Sequence, residues 1–118
     1  MKEFLMLFRW DATSPANQAS PEQMQARMKS WQDWMGSIAA QGKMGSPGNR
    51  LSPDGKVVKA SKVVTNGPYV EMKETLGGYI LVKANDINDA CELAKGCPVL
   101  AGGGNVEVRP IIPMDESH

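Results

Sequence analysis

Apolar positions in this chain fall into short continuous runs and one long periodic stripe, and the two patterns predict different elements. Phe4 to Phe8 is an apolar run of strand length between Lys2-Glu3 and Arg9, and its shortness favours a buried strand over a helix. Met24, Met28, Trp31, Met35 and Ile38 recur at spacings of four, three, four and three, the single apolar stripe of an amphipathic helix. Ser20 supplies the N-cap, Pro21 the first helical position and Gln23 the third residue of a capping box, and Gly42 marks the end. Tyr79-Ile80-Leu81-Val82 is apolar on both alternating faces, as a central strand covered on both sides would be. Beyond it Asp86, with Asp89 three residues on, caps a second helix that carries Ile87, Ala90, Cys91 and Ala94 inward until Gly96 and Pro98 stop it. Asn105 to Ile112 closes the chain as a strand in which Val106 and Val108 alternate with Glu107 and Arg109.

The remaining segments are punctuated by turn residues. Asp11 to Ala19 is small and polar with Pro15 inside it, a surface connection. Met44 to Leu51 contains Gly45, Pro47 and Gly48 and is expected to be a short, bulged or edge strand. Pro53-Asp54-Gly55 is a reverse-turn signal, and Lys56 to Val64 is read as a strand returning to pair with that stretch. Asn66-Gly67-Pro68 is a further turn, and Gly77-Gly78 lets the backbone bend before the central strand. Gly102-Gly103-Gly104 is a flexible turn. The order is βα, a hairpin, then βαβ: an α+β chain with a mainly antiparallel sheet, both helices on one face, in the ferredoxin-like arrangement. Residues 1–113 form a single domain in this reading, and residues 114–118 a frayed tail. Phe4 to Phe8 and Tyr79 to Val82 are apolar on both faces, yet two helices cover one side only. A second copy stacked sheet on sheet is the simplest cover, so a homodimer is expected.

Composition narrows the partners. The 118 residues carry thirteen basic and thirteen acidic side chains, so no long-range field gathers nucleic acid or an anionic membrane surface. Phe4 to Phe8 is too short for a signal-peptide core or a membrane span, and a cytoplasmic protein is expected. Cys91 and Cys97 are read as reduced thiols packed in helices. The one histidine is His118 and no CxxC occurs, so no metal site is expected and no Ser-His or Cys-His pair can form. There is no GxGxxG after a strand, and Gly102 to Gly104 lack the GK[ST] ending of a phosphate loop. No cofactor is expected.

Two groups of charges carry candidate chemistry. Glu71 and Lys73, followed by Glu74, place a general base beside a cation that steadies developing negative charge; the plainer reading is a solvated hairpin. Glu107 and Arg109 share a strand face, where a cross-strand ion pair competes with a binding role. Arg9, Trp10 and Asp11 leave the first strand where a pocket between sheet and helix is expected, and an Arg with a Trp suits a flat anionic ligand. The candidate catalytic residues are thus Glu71 and Lys73, and the candidate substrate-binding residues are Arg9, Tyr69, Glu71 and Arg109. Trp31 belongs to the helical core stripe, with Trp34 beside it, bordering a pocket or a dimer seam.

The run TNGPYVEMKETLGGYILVKANDINDACELAKGCP, followed by GGGNVEVRPI, resembles the YCII-related family, in particular its branch named after a DGPF motif. The resemblance implies a dimeric α+β barrel and, for that branch, no firmly assigned reaction or cofactor. Where the signature has Asp and Phe, this chain has Asn66 and Tyr69. Asn66 keeps the turn chemistry but loses the carboxylate needed for acid or base work. The His and Asp pair proposed for other YCII-related proteins has no counterpart, since no histidine stands near the first helix. Two functions remain open. One is a small organic molecule bound in a cleft between sheet and helices, with cofactor-free acid-base or lyase chemistry. The alternative is a non-catalytic binding or protein-interaction module.

Overall fold

The computed structural model describes residues 1–11, 20–67 and 74–115. Strands β1 (Lys2–Trp10), β2 (Met44–Arg50), β3 (Lys56–Val58), β4 (Val64–Asn66), β5 (Thr75–Ala84) and β6 (Asn105–Pro110) accompany helices α1 (Pro21–Ala40) and α2 (Ile87–Ala94) and a 3-10 turn at Pro98–Gly102. The main sheet has the order β2-β5-β1-β6, and its neighbouring strands pair antiparallel. This is the ferredoxin-like βαββαβ order with a small β3–β4 hairpin inserted.

Both helices start where the capping residues place them. The Ser20 hydroxyl accepts from the Gln23 backbone N–H at 3.2 Å while the Gln23 side chain accepts from the Ser20 N–H at 3.0 Å. Gly42, just past the α1 C-cap, takes φ +72°. At α2 the Asp86 carboxylate accepts from the Asp89 N–H at 2.8 Å.

Alternation along β1 and β5 sends Phe4, Met6, Phe8, Ile80, Val82 and Ala84 under the helices, where all are buried. Trp34 and Ile38 of α1, Ala90 and Ala94 of α2, Cys97 and Val99 complete that core. The Phe8, Trp31 and Trp34 rings meet edge to face at 4.9 to 5.9 Å, an arrangement that their quadrupoles favour. Trp34 is a core residue rather than the border of a pocket: its indole N–H donates to the Leu93 carbonyl at 2.9 Å and locks α1 to α2. The Met stripe, conversely, is buried only in its second half. Met24 and Met28 are exposed, Trp31 and Met35 are half-buried and Ile38 is buried, so α1 enters the core only from Trp31 onward. On α2, Ile87 is also exposed rather than inward.

The expected strand from Lys56 to Val64 is in fact a hairpin folded on itself. Val57 pairs with Thr65 and Val58 with Val64, the Lys59 N–H donates to the Val63 carbonyl, and Lys62 takes φ +68° in the turn. Two valine pairs separated by four residues read as one run in sequence but close as two short strands. The strand partner of β2 is therefore β5, not the stretch after Pro53-Asp54-Gly55. β2 is bulged twice and lies at the sheet edge as expected; Gly48 there, at φ +60°, is so close to β5 that a Cβ would overlap the Tyr79 carbonyl. Gly67 has φ +78° while Asn66 ends β4 opposite Lys56, so only the glycine needs the left-handed conformation.

Gly77 and Gly78 lie inside β5 rather than before it. The β1–β5 register slips between Phe8 and Arg9, leaving Gly77 as the extra residue between Leu76 and Gly78, a β-bulge. The Trp10 indole lies across Gly77, where a Cβ would collide with the ring. Trp10 packs against the core, and the bulge restores Thr75 to the covered face while turning Leu76 to the other one.

Candidate functional site

The face of the main sheet turned away from the helices carries the charges that the strand pattern singled out. Residues alternating with the buried set are Leu5, Leu7 and Arg9 on β1, Tyr79 and Leu81 on β5, and Glu107 and Arg109 on β6. The pairings align them in rows: Tyr79, Leu7 and Glu107; Leu81, Leu5 and Arg109; and, past the bulge, Leu76, Arg9 and Asn105. An apolar floor of leucines thus runs up the centre, bordered along β6 by charge. On the β2 side the Asn49 amide donates to the Tyr79 hydroxyl at 3.1 Å.

The charged border is a three-residue cluster. The Arg9 guanidinium donates to one Glu107 carboxylate oxygen at 3.1 Å, and the Arg109 guanidinium stands 3.7 Å from the other. Arg9 and Glu107 have side-chain exposures of 23% and 39%, Arg109 of 67%. The cross-strand ion pair expected of Glu107 therefore forms, but its closer partner is Arg9, one row away on β1. Arg109 keeps most of its five-donor fork free for water or a ligand. Two arginines around one carboxylate leave a local positive charge at the edge of an apolar surface, which suits an organic anion with a hydrophobic body.

Arg9 and Trp10, grouped in the sequence as one ligand-binding pair, point to opposite faces of the sheet. Beside Trp10 the space between sheet and helices is filled by the core. Two surface grooves occur, the first between α2 and β6 on the side where a cleft was expected and the second beside the start of β1. The first, of about 210 Å³, is bounded by Cys91, Ala94, Lys95, Leu100, Val106 and Val108; the second, of about 480 Å³, runs along Met1 to Glu3 and Pro110 to Pro113. Neither touches Arg9 or Arg109. Tyr69, Glu71 and Lys73 lie outside the described residues, and Glu74, exposed, leads into β5. The bond between Asn49 and Tyr79 was not legible in the sequence because two bulges in the β2–β5 pairing hide which residues face each other.

Both cysteines are free thiols. Burial pushes the Cys97 thiol up to about 11, so it stays protonated and is a poor nucleophile. Among the described residues no group of three His, Cys, Asp or Glu side chains could hold a metal ion, and no helix is long and apolar enough to cross a membrane. On the α side, Lys43 pairs with Asp89 at 3.1 Å, and the Asn85 N–H donates to the same carboxylate at 2.9 Å; the backbone bond first and the ammonium second hold Asp89 below the ordinary carboxylate range.

Comparison with protein-family models matches the YCII-related domain over residues 8–115. No curated protein matches the chain.

Proposed function

Because this chain belongs to the YCII-related domain family, we propose that it is a cytoplasmic homodimer that binds a small organic anion at the open face of its sheet. The observation that carries this reading is Arg109: a guanidinium largely exposed, loosely held by Glu107, beside the leucine floor. A carboxylate or enolate docks on Arg109 through two parallel hydrogen bonds, with Arg9 adding charge and the leucines taking the ligand's apolar part. This moves the expected site from the sheet–helix interface to the opposite face. Glu71 as base, Lys73 as its neighbouring cation and Tyr69 as a binding residue complete the reading, in keeping with cofactor-free acid-base or lyase chemistry. The DGPF branch is the part of the family whose motifs this chain follows, apart from Asn66 and Tyr69.

The dimer supplies what the site otherwise lacks, a cover. Along its shortest axis the molecule is 18 Å deep, room for one sheet and one helix layer about 10 Å apart, so a second sheet stacked on the leucines closes the site from above. A non-catalytic binding or protein-interaction module is the second reading. It is favoured by the ion pairs themselves, since Glu107 already occupies Arg9.

A melting-temperature screen of small carboxylic acids tests the proposal. The expected hits raise Tm in the parent protein, lose most of that shift in Arg109→Met, and lose turnover but not binding in Glu71→Gln. Hits indifferent to Arg109→Met place binding elsewhere, and an empty screen moves the assignment to the interaction module.

A further inference from the structure

Tyr79 stands on the open face of the sheet, apart from the ion pairs. Its row holds Leu7 and Glu107, and the next row holds Leu81, Leu5 and Arg109. From Tyr79 on β5 to Arg109 on β6 is two strand spacings across, about 10 Å, and two residues along, about 7 Å, so the Cα positions lie roughly 12 Å apart on the diagonal. Leu7 and Leu5 fill the β1 positions between them. A guanidinium at one end, a phenol at the other and leucines between make a strip with two polar ends and an apolar middle.

The hydrogen bonding of the phenol decides what the second end recognises. The Asn49 amide N–H donates to the Tyr79 oxygen at 3.1 Å. That bond uses a lone pair of the hydroxyl and leaves its proton uncommitted. Among the described residues the hydroxyl has no other hydrogen-bond partner. Asn49 belongs to β2, whose bulges bring it opposite Tyr79, so the edge strand fixes how the phenol is used: it offers a donor to whatever lies on the leucines. Tyr79 is half-buried before anything covers the face. An apolar group pressed against its hydroxyl strips it of water without returning a bond, and that penalty selects against such ligands.

We propose that Tyr79 is a specificity-determining residue of the open-face site and that Asn49 is the positioning residue that keeps its proton free for the ligand. The ligand class narrows accordingly. It is a medium-length carboxylic acid whose carboxylate meets Arg109 and whose far end carries a hydrogen-bond acceptor, a ketone or ester carbonyl, over Tyr79. The inference rests on the anion site proposed above and adds the second pole of its ligand. An aliphatic acid without the acceptor meets the same leucines and the same arginines, so the two kinds of acid differ only at Tyr79.

The test pairs straight-chain acids from hexanoic to decanoic with keto analogues that bear the carbonyl next to the terminal methyl. Dissociation constants are measured by calorimetric titration of the full-length protein at neutral pH. At the best-fitting length the keto acid is expected to bind about two- to tenfold more tightly than the plain acid, the worth of one hydrogen bond. Tyr79→Phe is expected to abolish that preference by weakening the keto acid alone. Asn49→Asp is expected to do the same with the phenol still present, because a carboxylate only accepts and takes the Tyr79 proton for itself. If the bond merely braced β2 on β5, both variants would lower Tm and leave the preference unchanged. Plain acids that need Arg109, with no preference for the keto acids or with one that persists in either variant, leave the anion site standing and overturn the assignment of Tyr79 and Asn49. No binding by any acid, or binding indifferent to Arg109→Met, overturns the anion site and this inference with it.

Discussion

The two faces of one sheet were built from the same strands and came out unlike. Under the helices, Phe4, Met6, Phe8, Ile80 and Val82 are all but inaccessible; on the reverse, one residue along in each strand, Leu5, Leu7, Tyr79 and Leu81 are only half-buried and share their face with Arg9, Glu107 and Arg109. A side-chain period of two means that neither face can change its register without the other. The covered face therefore sets the alignment and the open face inherits it. It follows that the candidate site is positioned by residues that never touch it.

Shortening one residue on each face puts this contrast under the greatest strain. Met6→Ala, at a fully buried position, is expected to cost about 2–5 kcal/mol through lost transfer energy and a cavity. Leu7→Ala, next along the strand, is expected to cost under about 1 kcal/mol in the dilute monomer, while weakening the proposed dimer. Urea titrations at low and high protein concentration check both. Equal losses at all concentrations would show that the open face stabilises the single chain as much as the covered one does.

A smaller effect probes how the helix layer is held. Trp34→Phe keeps most of the ring packing but leaves the Leu93 carbonyl without its indole donor. Because that carbonyl still accepts from the Gly96 N–H at 3.3 Å, the expected loss is that of one hydrogen bond, about 0.5–1.5 kcal/mol. The Arg9–Glu107–Arg109 cluster should keep its ligand affinity, because that cluster is anchored through strand pairing and not through α1. Denaturation and ligand titration of the same variant separate the two.

The smallest expected change is a pH dependence confined to the α side. Asp89 titrates below its ordinary 3.8 when folded, so the bonds from Asn85 and Lys43 stabilise the fold fully above that value and are lost as pH falls through the lower, folded one. Asp89→Asn is expected to lower the neutral plateau of a Tm-against-pH curve slightly and to flatten its acid limb below the ordinary value of 3.8 by the same small amount. An unchanged acid limb would mean that other carboxylates carry it.

Local signals in the chain were strong enough to place most elements. Ser20 with Gln23 and Asp86 with Asp89 cap their helices as the spacing requires, and the apolar runs at Phe4 to Phe8 and Tyr79 to Val82 lie within the two central strands. Capping and alternation are properties of neighbours in sequence, so composition along a few residues is enough to state them. The ion pair of Glu107 was half legible: its face follows from alternation, its preference for Arg9 over Arg109 does not.

The α+β order, the helix starts and the set of strand residues that share a face are thus written in the chain itself. Folding in three dimensions was needed to establish that Lys56 to Asn66 closes on itself, that β2 pairs with β5, that Trp34 rather than Met24 or Met28 enters the core, and that Arg9 and Trp10 part company. Each of these depends on a long-range choice. The helix stripe can be buried only as far as the sheet extends beneath it, and a single extra residue at Gly77 reverses the faces beyond it. Periodicity states which residues lie together; only the register between distant strands states which side of the sheet they take.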